Sequence, residues 1–292
     1  MTVAAFIPEI WSARFTAKLR DRLVWGSRCN RNYEGEIRGA GNVVHVPTGT
    51  TDITVRDYAI GSDIADPEVN KGVTTDLTID KQKYFHFLVD DVDAVQHRPS
   101  LMDEAMDEAA FQMALQVDSD IVTEVDKAYL AARSVRVAED LGEAAGIKAL
   151  IQGFVEVKRR MTIANIPLQD RWAVIHPDFI AVLEDYFATN ANDVYLPATS
   201  EQTLRNGFSG MLVGFNLFAT TRVPDVTADS KDFWRSYCGS GTQAITHASQ
   251  IVETEAYRPE RRFGDAVKGL RVYGTKTIHA DRLFTVEHQK TA

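Results

Sequence analysis

Residues 101–133 read LMDEAMDEAAFQMALQVDSDIVTEVDKAYLAAR and carry the longest helical pattern in the chain. Apolar side chains recur there at steps of three and four residues, as they do along one face of an amphipathic helix. They are Met102, Met106, Ala109, Ala110, Met113, Val117, Ile121, Val125, Ala128, Tyr129 and Ala132. Ser100 and Asp103 flank the start at the spacing of a capping box. At 1.5 Å per residue the helix would be roughly 50 Å long, well beyond the usual three turns, which predicts a spine across the whole molecule.

The segment before this helix, residues 36–88, has a different character. Glycines separate short runs rich in β-branched residues, which favours strands and turns. Between Ser62 and Thr75 there is almost no large apolar residue. About 50 residues of strand and turn with so little core material predict an extended two-stranded hairpin, which is marginal alone in water. Its open edges would need partners, and this is a first indication of assembly. Strands are expected at residues 43–47, 53–55, 77–79 and 84–89.

Residues 1–35 form a basic, amphipathic arm. Pro8 is well placed to begin a helix, and apolar residues recur on one face as far as Leu23. The other face carries Arg14, Lys18, Arg20 and Arg22. Residues 1–40 hold seven basic and four acidic side chains, a net charge of +3. We expect the arm to dock either on the core of its own chain or on a neighbouring subunit.

The C-terminal half mixes helices and strands. A second helix is expected over residues 142–164, and the sequence His176-Pro177-Asp178 opens a third that runs through Phe187. Trp172–His176 has the continuous apolar pattern of a buried strand. Further strands are expected at residues 215–221, 242–251, 270–274 and 282–286. This mixture predicts an α+β fold.

The composition is that of a folded globular protein. Of the 292 residues, 45% are hydrophobic and 25% are charged, which excludes fibrous chains, disordered chains and small disulfide scaffolds. The length suggests about two domains. The net charge of −9 argues against a general nucleic-acid or membrane binder, because both partners are anionic.

Compartment signals are few. The apolar runs are much shorter than the about 20 residues of a membrane span, and the N-terminus lacks the basic and apolar regions of a signal peptide. The two cysteines, Cys29 and Cys238, lie far apart and match no zinc spacing. They are expected to be free thiols in a reducing compartment, with one disulfide as the alternative. The chain is expected to be made in a cytoplasm.

No catalytic, cofactor-binding or metal-binding residue is predicted. Asp90, Asp91 and Asp93 could bind a divalent cation, but they lack the glycine and glutamate of a calcium loop, and acidic residues are favourable ahead of a long helix. Gly269–Thr277 superficially resembles a phosphate loop but has the pattern of a strand, and Gly207–Gly210 is no nucleophile elbow. The histidines show no metal-binding spacing; they are His45, His86, His97, His176, His247, His279 and His288.

Several segments match, in order, the patterns of one known family. They are FIPEIWSAR (residues 6–14), NYEGEI (32–37), FHFLVDDVDAVQ (85–96), LMD (101–103), RWAVIHP (171–177) and GF (214–215). With the order of arm, β-rich excursion, long helix and mixed region, they resemble the major capsid (coat) proteins of tailed bacteriophages, which have the Hong Kong 97-like fold. The resemblance covers nearly the whole chain, and its motifs concern packing, not chemistry.

The resemblance implies a division of the chain. Residues 1–35 would be the N-arm, and residues 36–88 the E-loop, a hairpin that lies over an adjacent subunit in this family. Residues 89–165 would form the peripheral domain with the spine helix at about 101–133. Residues 166–249 would form the axial domain, whose tips meet at the five- and six-fold centres, and residues 250–292 would return to the peripheral domain.

The resemblance also implies a structural role, with no enzymatic activity and no cofactor. The family forms pentamers and hexamers that close into an icosahedral shell, and this chain would enclose double-stranded DNA without reading its sequence. The implied partners are further copies of the chain, a portal protein, a scaffolding protein during assembly and, in some members, a decoration protein. Because the sequence starts directly at the arm with Met1, a separate scaffolding protein is favoured over a cleaved mature product. The implied location is the virion shell, assembled in the bacterial host cytoplasm and away from membranes.

Two other interpretations stay open. An encapsulin-like nanocompartment subunit has the same fold and encloses protein cargo instead of DNA. A metabolic α+β enzyme would need a buried constellation of side chains that the sequence alone does not reveal.

Overall fold

The computed structural model describes residues 23–33, 43–49, 72–90, 101–139, 144–189, 210–228 and 231–290, together with residues 55–58, 60, 61, 63 and 66. Within these ranges the chain forms three α-helices and twelve β-strands. The helices are α1 (Leu101–Lys127), α2 (Ala144–Ile163) and α3 (Pro177–Thr189). The strands are β1 (Val43–Gly49), β2 (Val73–Thr78), β3 (Lys81–Asp90), β4 (Ser134–Val137), β5 (Arg171–Ile175), β6 (Met211–Leu212), β7 (Phe215–Ala219), β8 (Asp225–Ala228), β9 (Lys231–Ser240), β10 (Ile245–Tyr257), β11 (Gly264–Thr277) and β12 (Phe284–Gln289).

The larger sheet has seven strands and is covered by helices on both faces. Its order is β4-β12-β9-β5-β7-β6, with β8 added beside β9. Every residue of β5 is buried, and its side chains alternate between two cores. Trp172 and Val174 face the core that contains α1, whereas Ala173 and Ile175 face the core that contains α2 and α3. This is why the sequence shows a continuous apolar run there instead of an alternating one.

The smaller sheet has three antiparallel strands in the order β10-β11-β3. One face packs on α1 through Phe85 and Phe87 of β3 and through Val267 and Tyr273 of β11. The helix α1 is therefore shared, because its buried residues contact both the three-stranded and the seven-stranded sheet.

The predicted hairpin is present at its base. β1 and β2 pair antiparallel from Val43 opposite Thr78, and they lie outside both larger sheets. A small core formed by both strands and by Val272 of β11 holds the hairpin on the three-stranded sheet. A Cβ atom on Gly274 would overlap the backbone carbonyl of Thr78, so the hairpin crosses β11 in backbone contact.

The long helix is shorter than predicted. It ends at Lys127 and not at Arg133, although Ala128 and Ala132 continue its apolar period. Tyr129 leaves the helix and packs under the guanidinium group of Arg235, whose Cζ lies 3.5 Å from the ring centroid. A 3-10 turn at Ala131–Arg133 then leads into β4, which pairs in parallel with β12. A tertiary contact thus overrides the local helical preference.

Other boundaries agree with the predictions or extend them. The helices expected over residues 142–164 and 176–187 are confirmed within a few residues. Gly269–Thr277 lies in strand β11, as expected. Four strands were missed: β4, β6, β8 and β9. Of the strand expected at 53–55, residues 53 and 54 lie outside the described ranges, and Val55 is described and is not in a strand. In the described part of the chain, no helix has the length and apolar character that a membrane crossing requires.

Candidate assembly surfaces

The helix α1 is very acidic, and three of its carboxylates join different parts of the molecule. Asp118 binds the segment that follows the N-terminal arm. Asp120 accepts a hydrogen bond from the Tyr273 hydroxyl of β11, and Lys81 of β3 lies 3.5 Å from it. Asp126 binds Arg235 and Tyr237 of β9. The helix therefore fixes the arm and both sheets relative to one another.

Asp118 is a buried carboxylate that holds the root of the arm. Its two oxygens accept hydrogen bonds from the backbone N–H groups of Val24 at 2.9 Å and Gly26 at 3.2 Å. Burial raises the pKa of Asp118 to about 6, and the bonds from the backbone together with the charge of Arg31 limit that rise. The carboxylate thus supplies the hydrogen-bond acceptors that these two N–H groups need in the core.

Further contacts fix the same root. The indole of Trp25 is fully buried and donates to the carbonyl oxygen of Arg222 at 2.8 Å. Asn30 pairs with β10, since its N–H donates to the Ile245 carbonyl at 2.7 Å and its carbonyl accepts from the His247 N–H at 3.0 Å. Residues 23–30 are therefore held by the folded core, and we call them the arm root.

A buried ionic network ties α1 to the seven-stranded sheet. Glu287 of β12 is fully buried and accepts from Arg136 and Arg235, each at 2.8 Å. Burial acts to raise the pKa of Glu287, but the bonds from the two arginines outweigh it and hold the pKa below its ordinary value. Arg235 also donates to Asp126 at 2.6 Å. Such a network is costly to break from one side, because each loss leaves a buried charge unpaired.

The hairpin carries apolar side chains that no described part of the chain buries. Val55 is 94% exposed and Ile60 is 98% exposed, and Tyr58 between them is also exposed. They lie beyond the base of the hairpin, which is the only described part of it that packs in a core. Exposed apolar side chains grouped in this way mark an interaction site.

The outer face of the three-stranded sheet is a second exposed surface. Tyr84 is 77% exposed there. Beside it, the Tyr257 hydroxyl lies 3.0 Å from Nε2 of His86, and the two rings are stacked. Lys268 pairs with Glu255 at 2.8 Å. At the turn between β10 and β11, Phe263 is 81% exposed and follows two exposed arginines, Arg261 and Arg262.

The residues considered for chemistry are dispersed. Among the described residues, no group of three His, Cys, Asp or Glu side chains is arranged to hold a metal ion. Asp90 ends β3, while Asp91 and Asp93 lie outside the described residues, as does His97. Cys29 and Cys238 are both buried free thiols. Burial lowers the pKa of His288 to about 3. The Nδ1 atom of His247 lies 2.8 Å from the hydroxyl oxygen of Thr275, within hydrogen-bond distance.

The three carboxylates of α1 and the Arg235–Glu287 pair were not identified from the sequence. A signal for Asp118 was present, because it continues the buried series of Ala110 and Ala114 at four-residue steps. A carboxylate at a core position of a helix must find buried partners. The sequence does not indicate which partners these are, since Val24 and Gly26 are more than 90 residues away from Asp118.

Comparisons with known proteins agree with this architecture. The model of a family described as phage capsid protein matches residues 72–286. No curated protein matches the chain. A solved structure from Mycobacterium phage Che8 is similar, with a TM-score of 0.65 and 23% identity over 90% of each chain. The capsid of cyanophage P-SCSP1u has a TM-score of 0.68 and 13% identity, over 92% of this chain and 89% of that one. The SrpI encapsulin from Synechococcus elongatus has a TM-score of 0.53 and 10% identity, over 86% of this chain and 83% of that one.

Proposed function

Because the chain belongs to the phage capsid protein family, it is a structural major capsid protein, and we propose that it assembles as pentamers and hexamers into an icosahedral phage head around double-stranded DNA. The predicted α+β, Hong Kong 97-like fold is confirmed by the structural likeness to phage capsids. Its location is the capsid shell of the virion. The family and the fold imply a structural role and not an enzymatic one.

The hairpin supports this proposal most directly. Its base is anchored on the three-stranded sheet, and beyond the base Val55 and Ile60 are almost completely exposed. At about 25 cal/mol per Å² of apolar surface removed from water, covering these side chains on a neighbouring subunit would favour association at every contact of a closed shell. Hairpins that lie on the next subunit also form heterologous interfaces, which generate rings when the rotation closes.

The domain division is part of the proposal. Residues 1–35 are assigned to the N-arm, 36–88 to the E-loop, 89–165 to the peripheral domain, 166–249 to the axial domain and 250–292 to a return to the peripheral domain. Two pairings link these units. β3 at the end of the E-loop range joins β11, and β12 joins the seven-stranded sheet beside β9 of the axial range.

The partners also belong to the proposal. A scaffolding protein would direct assembly in the bacterial host cytoplasm, a portal protein would occupy one vertex, and a decoration protein could add to the outside. DNA would be enclosed without sequence-specific contacts. The chain's net charge of −9 fits a shell that contains DNA without gripping it.

An encapsulin-like compartment is the second candidate. The likeness to the SrpI encapsulin favours it, but the TM-score of 0.53 is below the values of 0.65 and 0.68 for the two phage structures. The cargo distinguishes the two functions: a phage head encloses DNA, whereas an encapsulin encloses protein.

Electron microscopy of the protein coexpressed with its neighbouring genes tests the proposal. We expect closed shells from the wild type, and rings or unassembled subunits from the double variant Val55→Ser/Ile60→Ser. A matched control, Leu168→Ser, removes an exposed apolar side chain outside the hairpin and should still give shells. Circular dichroism should show all three proteins folded. A folded wild-type protein that stays monomeric with a scaffold present would overturn the function, and shells from the double variant would overturn the role of the hairpin.

A further inference from the structure

His288 is a histidine buried in the apolar core between the seven-stranded sheet and α3. It is 1% exposed and lies against the ring of Phe179 of α3, with the two ring centroids 5.5 Å apart. Neither of its ring nitrogens has a hydrogen-bond partner among the described residues. Buried polar groups usually have at least one such partner, and a buried charge needs one. This ring is therefore suited to the core only in its uncharged form.

The elements that enclose His288 face it with uncharged groups. β4 places Val137 opposite it, and β9 places Trp234 opposite it. The helices α2 and α3 close the same core with apolar side chains, Phe154 among them. Within the described part of the chain, the charge that acts on His288 is that of His176, which has the same sign and disfavours a proton on His288.

His176, which directly precedes α3, can take up a proton in place. Its ring stacks on Trp234 with the centroids 4.0 Å apart, and its Nδ1 atom lies 3.1 Å from the carboxylate of Asp178. Lys290 repels a charge on this ring but is itself paired with Asp225 at 2.6 Å. The two histidines therefore differ, because the first has a counter-ion at the surface and the buried one has none among the described groups.

Acid must therefore act on His288 through an opening of its core. Burial, together with the charge of His176, lowers the pKa of His288 from its ordinary value of 6.5 to about 3. A form in which the ring reaches water regains the ordinary pKa, so it binds a proton that the closed form does not. The stability of the closed form is fully present above about pH 6.5 and is lost as the pH falls. At pH 4.5 the open form is favoured about a hundredfold more than at pH 7.

We propose that His288 is an acid-sensitive release for α3: on acidification its ring takes up a proton, and α3 with Phe179 separates from the seven-stranded sheet. The helix is the element that moves, because β12 is paired with a strand on each side, whereas α3 lies on the sheet through side-chain packing. The release does not depend on the capsid function, since every contact lies within one chain.

Hydrogen exchange of the unassembled full chain tests the proposal. Mass spectrometry of peptides from α3 and α1 gives the protection of each helix, after correction for the intrinsic exchange rate at each pH. Between pH 7 and pH 4.5, the protection of α3 should fall about a hundredfold. The protection of α1 should change several-fold less, because α1 packs in the other core. Constant protection of α3, or equal losses in the two helices, would overturn the proposal.

Substitution of His288 assigns the effect to this ring. His288→Leu and His288→Gln both remove the titrating group, and in either variant most of the fall in α3 protection should disappear. The matched control His45→Gln removes an exposed histidine of β1 and should keep the full effect. Circular dichroism at pH 7 identifies the variants that fold. The same acid-induced loss in a folded His288 variant as in the wild type, or its disappearance in His45→Gln, would contradict the role of His288.

Discussion

Arg235 on β9 donates a hydrogen bond to Asp126 on α1 across 2.6 Å, and the same guanidinium group donates to Glu287 on β12 across 2.8 Å. Asp126 is partly exposed, while Glu287 is completely enclosed. The two carboxylates therefore share one arginine but differ in burial. Removing Glu287 would leave a charge unpaired in the core, whereas removing Asp126 would leave one that water can reach. This asymmetry predicts unequal effects of removing them.

We expect Glu287→Gln to destabilise the unassembled subunit by about 3–5 kcal/mol, because Arg136 and Arg235 would lose a buried counter-charge. Asp126→Asn should cost about 1–2 kcal/mol, since Arg235 keeps Glu287 and the site is partly solvated. Urea denaturation of the unassembled protein measures both. Glu156→Gln is the matched control, because Glu156 also binds two arginines but on the surface of α2, and it should change stability little. Equal losses for Glu287→Gln and Glu156→Gln would contradict the prediction.

Asp118 should give the subunit an unusual dependence on pH. Its pKa in the folded chain, about 6, exceeds the ordinary value of a carboxyl group because burial disfavours the charge. The folded protein therefore binds this proton more tightly than the unfolded chain does. The stability that this tighter proton binding adds is fully present below about pH 4 and is lost as the pH rises through about 6. Between these values the free energy of unfolding falls by about 1.4 kcal/mol per pH unit.

The variant Asp118→Asn isolates this effect. Between pH 4.5 and 7.5, the wild type should lose stability relative to the variant, since other titrating groups are common to both proteins. Asparagine also leaves one of the two backbone N–H groups without an acceptor, so the variant should be less stable than the wild type at low pH. Urea denaturation at several pH values measures the difference. Parallel curves for the two proteins would show that Asp118 titrates normally.

Gly274 determines how the hairpin crosses the three-stranded sheet. A methyl group there would overlap the backbone carbonyl of Thr78, so we expect Gly274→Ala to lower the free energy of unfolding by about 1–3 kcal/mol and to reduce shell formation. Gly72 is the matched control, because no atom of the described residues lies within 4 Å of a Cβ added there. Gly72→Ala should change stability by less than about 1 kcal/mol. Thermal unfolding and electron microscopy measure the two effects, and equal behaviour of the two variants would contradict the close crossing.

Much of the fold was predictable where the pattern is local. α1 and β5 were found because long apolar periodicity and a continuous apolar run report burial directly. β9 was missed because its sequence, KDFWRSYCGS, places Arg235 and Ser236 at buried positions. Its arginine is compatible with a central strand only because Glu287 lies on the neighbouring strand β12. The end of α1 depends in the same way on Tyr129 meeting Arg235.

The exposed surfaces were predictable in kind but not in detail. The scarcity of apolar residues between Ser62 and Thr75 indicated a hairpin that cannot bury itself, and Val55 and Ile60 are exposed accordingly. The pairing of β3 with β11, and the crossing at Gly274, depend on contacts almost 200 residues apart. The role of Asp118 depends on the arm root, which a helical pattern by itself does not locate.

Cys29 offers a direct measure of how firmly Asp118 holds this root. The thiol is buried five residues after Val24 and donates to the Trp25 carbonyl at 3.3 Å, and burial raises its pKa well above the ordinary range. A thiol reagent at pH 7.5 should therefore modify it only when residues 24–29 open. Asp118→Ala removes both acceptors of the Val24 and Gly26 N–H groups, and it should speed the modification of Cys29 about tenfold or more, as expected for the loss of buried hydrogen bonds.

Cys238 is the internal control for this measurement, because it lies in the core between the seven-stranded sheet and helices α2 and α3, apart from Asp118. In the background Cys29→Ser, the same Asp118→Ala change should leave the modification rate of Cys238 unaltered. The background Cys238→Ser reports Cys29 alone, and unfolding in urea should make both thiols react at once. Equal acceleration at both cysteines would mean that Asp118 stabilises the whole subunit, and would contradict a local hold on the arm root.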